Sequence, residues 1–186
     1  ALLRTSVRSG EPSSVIDIGC GTGDLAVLAA SAALSSDWTG VDLLPDRIES
    51  AQARVPTARF IVASADALPF EADRFDVAAA VTVFSSIPSP QTEANVAREI
   101  QRVLRPGGWL VWYDLRYDNP SNPAVHGVTK ARLRTLFPDW AMDLHATTLA
   151  PPIARRLGPA TPIAYPLLHA IPPLRSHLIG RLRCPS

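Results

Sequence analysis

The stretch VIDIGCGTGDLA, residues 15–26, constrains this chain more than any other. Val15, Ile16 and Ile18 form the β-branched run of a buried parallel strand. Gly19, Gly21 and Gly23 follow at alternating positions, and Leu25, Ala26, Leu28 and Ala29 then take up the period of a helix. Glycines spaced in this way let the backbone turn without Cβ clashes. They also let a ligand lie against the main chain, facing amide groups at a helix N-terminus. The stretch is suited to holding a small polar molecule.

The rest of the chain repeats the strand and helix alternation. A helix over 24–34 follows the glycine turn, then a strand over 38–41 ending on Asp42, and a helix opened by Pro45 and Asp46 with Ile48, Ala51 and Val55 on its buried face. A third strand over 59–63 precedes the loop SADALPF, which carries Asp66. The run FDVAAAVTVF, 75–84, is nearly all apolar and therefore a central fourth strand. An amphipathic helix over 91–104 is stopped by Pro106-Gly107-Gly108, and a fifth strand covers 109–114. Beyond Leu115 the pattern predicts a loop over 117–127, a short helix over 129–137, a strand over 140–149 and a last strand over 174–183. This order specifies an α/β fold with helices on both faces of one sheet.

With 186 residues, 47% of them hydrophobic and 19% charged, the chain fits one globular domain. Its parts are a lead over 1–14, a core over 15–115 and a region over 116–186 that completes the sheet and lies on the acceptor side. The net charge of +1 gives no global reason to expect nucleic acid, but residues 1–115 carry nine basic and fourteen acidic side chains, and 116–186 nine basic and three acidic. The positive rear suits an anionic acceptor, a carrier or a membrane face, and solubilising arginines explain it equally well. Prolines crowd the tail after residue 150 and speak against a long amphipathic membrane helix there. Cys20 and Cys184 form neither a disulfide framework nor a metal set, and the expectation is a cytoplasmic protein without a metal. The first residue is not Met, so the chain is read as trimmed from, or part of, something longer.

The glycine turn distinguishes two ligand classes. A dinucleotide fingerprint begun at Gly19 needs glycine at position 24, where Asp24 stands. The pattern is instead D-x-G-x-G-x-G from Asp17 to Gly23. Together with Asp42, FDVAAAVTVF and LRPGGWLV it resembles the class I S-adenosylmethionine-dependent methyltransferases, of the small-molecule kind called type 11, over about residues 15–115. The resemblance implies a Rossmann-like three-layer sandwich with a seven-stranded, mostly parallel sheet whose last strand is antiparallel. S-adenosylmethionine is the implied cofactor, at the carboxyl ends of the first two strands. The cofactor's ribose diol and ammonium call for acceptors rather than a phosphate cradle. By resemblance, Asp42 takes the ribose hydroxyls, Leu43 packs on adenine, Asp66 takes the adenine amino group with Ala67 as a backbone contact, and Asp17 faces the methionine ammonium. Gly19, Cys20, Gly21 and Gly23 line the methionine and ribose, and Val81 walls the pocket.

The acceptor is less constrained. The fourth strand ends without the Asn/Asp-Pro-Pro-aromatic signature of amino-methylating nucleic-acid enzymes, so DNA is not expected. Phe84 and Ser85 either face the acceptor or, in the case of Phe84, fill the core; Tyr113 and Arg116 are further acceptor-side candidates. Methyl transfer is an in-line displacement in which positioning supplies much of the rate, and a base is needed only where the acceptor loses a proton. An oxygen acceptor on a small or carrier-linked molecule is expected, with His126 or Asp114 as base. His145, His169 and His177 are read as structural or surface residues. A protein or RNA methyltransferase, and a cofactor-binding inactive subunit, stay open as alternatives, as does the oligomeric state.

Overall fold

The computed structural model describes residues 13–32, 36–119, 122–158 and 161–186. Seven strands form one sheet in the order β3-β2-β1-β4-β5-β7-β6. They are β1 Ser13–Ile18, β2 Ser36–Asp42, β3 Arg59–Val62, β4 Phe75–Val81, β5 Leu104–Leu115, β6 Ala141–Leu149 and β7 Arg175–Arg183. Strands β1 to β5 pair in parallel, whereas β7 lies between β5 and β6 and is antiparallel to both. Strand β6 therefore points the same way as β5. The carboxyl ends of β1 to β6 and the start of β7 share one edge of the sheet.

The helices are α1 Asp24–Ser31, α2 Pro45–Arg54, α3 Pro90–Val103, α4 Lys130–Leu136, α5 Pro151–Arg156 and α6 Thr161–His169. One core packs Ile16, Ile18, Ala78, Ala80, Leu110 and Trp112 under Val96 and Ile100 of α3 and Leu133 of α4. On the opposite face Val15, Val77, Ala79 and Val111 meet Ala26 and Ala29 of α1. Alternate residues of the central strands are thus buried on both sides, as their unbroken apolar sequence demands.

Strands β1 and β2 each start two residues earlier than expected, at Ser13 and Ser36, and three further boundaries differ from the sequence expectation. Strand β4 ends at Val81 rather than at position 84. Thr82 turns to φ 55° while its N–H reaches the Tyr113 carbonyl at 2.7 Å, and Phe84–Ser86 coil into a 3-10 turn. Second, Pro106-Gly107-Gly108 does not separate α3 from the next strand but forms a bulge within β5, whose register jumps from Phe75 opposite Leu104 to Val77 opposite Trp109. A Cβ on Gly108 would lie 2.8 Å from the Arg105 carbonyl oxygen and 3.0 Å from that of Asp76, so glycine is required in this bulge. Third, β7 starts at Arg175, because Pro172–Leu174 form a 3-10 turn. The expected extension of α1 over 33–34 lies outside the described residues. The proline-rich tail contains two short helices, α5 and α6, that its sequence pattern did not reveal.

Candidate functional site

The glycine turn stands at the carboxyl edge of the sheet, where β1, β2 and β4 end together. Gly19, Gly21 and Gly23 all adopt left-handed φ, at 64°, 54° and 81°. Their environments assign them different tasks. A Cβ at Gly19 would meet Val83 at 2.9 Å, and one at Gly23 would meet Ala51 of α2 at 3.1 Å, whereas nothing lies within 4 Å of a Cβ at Gly21. Gly23 is thus a packing glycine and Gly21 faces open space.

Asp42, the last residue of β2, ties the turn to the next helix. Its Oδ2 accepts the Gly21 N–H at 2.9 Å, its Oδ1 accepts the Leu44 N–H at 3.0 Å, and Arg47 stands 4.0 Å away. The Cys20 N–H donates to the Val41 carbonyl at 2.9 Å, locking the turn onto the end of β2. Each carboxylate oxygen of Asp42 retains a lone pair for a further donor.

Asp17 lies one layer deeper. It is wholly buried, with Gly40 and Ala79 as its neighbours in the sheet, and its Oδ2 has no hydrogen-bond partner. Burial first, and the nearby Asp42 charge second, push its carboxyl up to about 8. The Cys20 thiol is likewise pushed up to about 12 by burial and by both aspartates, which makes it a poor nucleophile, and it does not line the cavity described next. A buried carboxyl without a partner is costly until a donor or a cation meets it. The methionine ammonium of S-adenosylmethionine is a group of that kind, and the residues here fit it.

In front of the turn lies a cavity of about 380 Å3, within the range of roughly 300–1,000 Å3 in which small-molecule sites fall. Gly19, Asp42 and Leu43, all expected from the sequence, line it. So do Leu44, Arg47, Ser64, Thr82, Val83, Ile87 and Pro88, which were not expected. The early end of β4 is the reason: Thr82 and Val83 follow a β-branched pattern in sequence yet turn into the cavity, while the expected Val81 stays paired with Tyr113. Asp66 is half-buried just beyond and accepts a hydrogen bond from the Ser64 hydroxyl; the Ala67 N–H is taken by the Ser64 carbonyl at 3.2 Å.

The acceptor-side candidates are dispersed. Phe84 is buried against Trp112 and Phe137, at ring distances of 4.9 and 6.2 Å, and belongs to the core. Ser85 is buried too, its N–H donating to Asp114 Oδ2 at 3.1 Å. The 3-10 turn rolls both side chains inward: for Phe84 the core reading holds, although its ring also lines the smaller cavity beside His126, and the expectation that Ser85 faces the acceptor is corrected. Asp114 also accepts the Leu115 N–H at 2.8 Å, and burial raises its pKa against the lowering effect of those bonds. It staples the β4 turn to β5 and is not exposed to act as a base. His126 is exposed, its N–H donating to the Ser85 carbonyl at 2.9 Å. It lines a smaller cavity of about 240 Å3 beside the Glu93–Arg132 ion pair, and this cavity shares Ile87 and Pro88 with the first. Tyr113 lies away from both, its hydroxyl 2.9 Å from Thr148 Oγ1 and its ring stacked on His177 at 4.8 Å. Arg116 lines a third cavity, its guanidinium 4.4 Å above Tyr117. Among the described residues no three His, Cys, Asp or Glu side chains gather to hold a metal ion.

Comparison with known proteins agrees with this geometry. A family model described as a methyltransferase domain matches residues 15–108. The chain is 36% identical over 124 residues to the phthiotriol/phenolphthiotriol dimycocerosates methyltransferase of Mycobacterium leprae, covering 66% of this chain and 45% of that protein. It is 36% identical over 104 residues to the demethylmenaquinone methyltransferase of Thermotoga maritima, covering 56% and 44%. The chain thus spans less than half the length of these relatives. The fold resembles that of the N-methyltransferase NodS of Bradyrhizobium japonicum, solved with S-adenosyl-L-homocysteine, with a TM-score of 0.72 at 18% identity, covering 100% of this chain and 84% of that one.

Proposed function

This chain belongs to the methyltransferase-domain family, and from that premise we propose that it transfers a methyl group from S-adenosylmethionine to a small lipid-soluble or carrier-linked acceptor, at an oxygen atom. The observation that carries the reading is the unpartnered Asp17 Oδ2 beneath a glycine turn whose cavity opens beside Asp42. The lipid and quinone substrates of the relatives support the acceptor class.

In this reading the cofactor supplies an electrophilic methyl group on a sulfonium. Asp42 accepts the ribose hydroxyls while its bonds to the Gly21 and Leu44 N–H groups hold its plane fixed. Asp17 compensates the ammonium, and Asp66 takes the adenine amino group beside Leu43. Val83 supplies an apolar wall to the first cavity, and Ile87 and Pro88 supply apolar walls common to both. His126, the exposed imidazole of the second cavity, takes the proton that an oxygen acceptor gives up. The free thiols of Cys20 and Cys184 suit a reducing compartment, and a cytoplasmic location is part of the proposal.

Calorimetric titration with S-adenosylmethionine tests it. The intact chain binds, and Asp42→Ala weakens binding by about 2 kcal/mol, the value of charge-assisted bonds to two hydroxyls. Absence of binding to the intact chain overturns the reading. The His126→Gln variant keeps cofactor affinity but slows transfer to a phenolic or hydroquinone acceptor.

A further inference from the structure

Seven large apolar side chains stand exposed among the described residues, and six of them crowd the carboxyl edge of the sheet. Leu43 and Leu44 follow β2, Val62 ends β3, Tyr117 follows β5, and Leu167 and Ile171 lie between β6 and β7. Only Leu28 of α1 lies elsewhere. An exposed apolar side chain is ordinary by itself, but concentration on one edge is not.

The rear of that edge has the strongest character. Pro162, Pro166, Leu167, Ala170 and Ile171 are all exposed, the first three on α6 and the last two in the turn that follows it. Leu167 is 68% exposed. The helix thus turns an apolar stripe outward, the reverse of a surface helix in a soluble domain. Arg155 and Arg156 are exposed at the end of α5, which packs on β6 as α6 does, Arg116 follows the end of β5, and no acidic residue follows Asp143 in the sequence. The exposed or half-buried acids of the edge lie mostly at its front, among them Asp46 and Asp66; at the rear, Asp114 is buried and Asp118 accepts the Gly127 N–H at 2.8 Å. No helix among the described residues is long and apolar enough to cross a membrane.

We propose that the carboxyl edge docks on an anionic lipid bilayer, with the exposed stripe of α6 set into the interface and Arg155 and Arg156 against the headgroups. Short apolar stripes flanked by arginines bind in this way, through buried apolar area plus attraction to anionic lipid. The bilayer is favoured over a protein partner because, among the described residues, the cations of this rear edge, Arg116, Arg155 and Arg156, outnumber its one exposed acid, Asp118. The inference rests on the reading of a lipid-soluble acceptor: since the connection between β6 and β7 shares its edge with the cavity beside Asp42, docking turns the methyl-transfer site toward the membrane from which such an acceptor comes.

Co-sedimentation of the full chain with vesicles tests it, using phosphatidylcholine alone and phosphatidylcholine mixed with phosphatidylglycerol. The chain partitions onto the anionic vesicles, and L167D/I171D and R155E/R156E each lower the bound fraction about tenfold, the latter mimicked by high salt. Titration with S-adenosylmethionine on the same samples shows that the variants are folded; loss of vesicle binding with intact cofactor binding leaves the methyltransferase reading standing, and the reverse result removes that reading alone. The docking proposal is overturned if the unaltered chain ignores anionic vesicles, if L167D/I171D binds them equally, or if sedimentation velocity shows that the stripe instead joins two copies of the chain.

Discussion

The two halves of the carboxyl edge solve different problems with different materials. At the front, above β1 and β2, the main chain does the work: three left-handed glycines, amides tied to Asp42 and one buried carboxyl shape a cavity for a polar ligand. At the rear, above β5, β7 and β6, side chains dominate, and exposed leucine, isoleucine and proline stand beside arginines. The front is built from parallel strands buried on both faces. The rear hangs on one antiparallel strand, β7, without which β6 has no neighbour in the sheet.

The most damaging change for the rear is Gly180→Ala. Gly180 lies between Trp112 of β5 and Leu144 of β6, and a Cβ there would sit 1.9 Å from the Asp143 carbonyl oxygen. Backbone cannot yield as a flexible side chain does, so the expected loss is about 3 kcal/mol or more in urea unfolding. Hydrogen exchange will locate the damage in β6 and β7 while β1 and β2 stay protected. Equal deprotection of both halves would break the division drawn between them.

A smaller and pH-dependent effect marks the front. The unfolded chain releases the Asp17 proton near 3.8, whereas the folded chain keeps it to about 8. Between those values the folded state binds more protons, so stability without ligand falls as pH rises, by at most about 1.4 kcal/mol per pH unit. Asp17→Asn removes that component of the slope in urea unfolding followed from pH 5 to 9. Cofactor affinity has the opposite sign. An ammonium favours ionised Asp17, so binding releases a proton and tightens with pH up to about 8, and calorimetry in buffers of different ionisation enthalpy counts that proton. In Asp17→Asn the proton release disappears.

The smallest expected effect lies between the halves. Ser89 caps α3 through the Thr92 N–H at 3.1 Å, with Pro90 setting the first turn. Ser89→Ala costs about 1 kcal/mol in thermal or urea unfolding and leaves cofactor affinity unchanged. A change in affinity would show that α3 transmits strain to the cavity through Thr92 and Val96, which line it.

Much of this arrangement was legible in the residues. Gly19 and Asp42 both line the cavity, as the family resemblance implied, because a buried strand, a glycine turn and a strand-ending acid are local features with local signatures. The early end of β4, which buries Ser85, was missed for an equally local reason: FDVAAAVTVF has no residue that forbids continued extension, and the turn at Thr82, whose N–H meets the Tyr113 carbonyl of β5, leaves no mark in it. His177 offered no signal that it would be buried and stacked on Tyr113, since that contact joins residues on two strands brought together only by the insertion of β7.

By itself, the sequence determined the order of elements, the parallel core and the chemistry of the glycine turn, since each rests on periodicity or on backbone freedom within a few residues. Only the tertiary structure decided which side chains line the cavity, why Asp17 is left without a partner and how the exposed apolar residues of four separate segments come to share one edge. Those features depend on the insertion of β7 between β5 and β6 and on the ends of strands far apart in the chain, which no local pattern records.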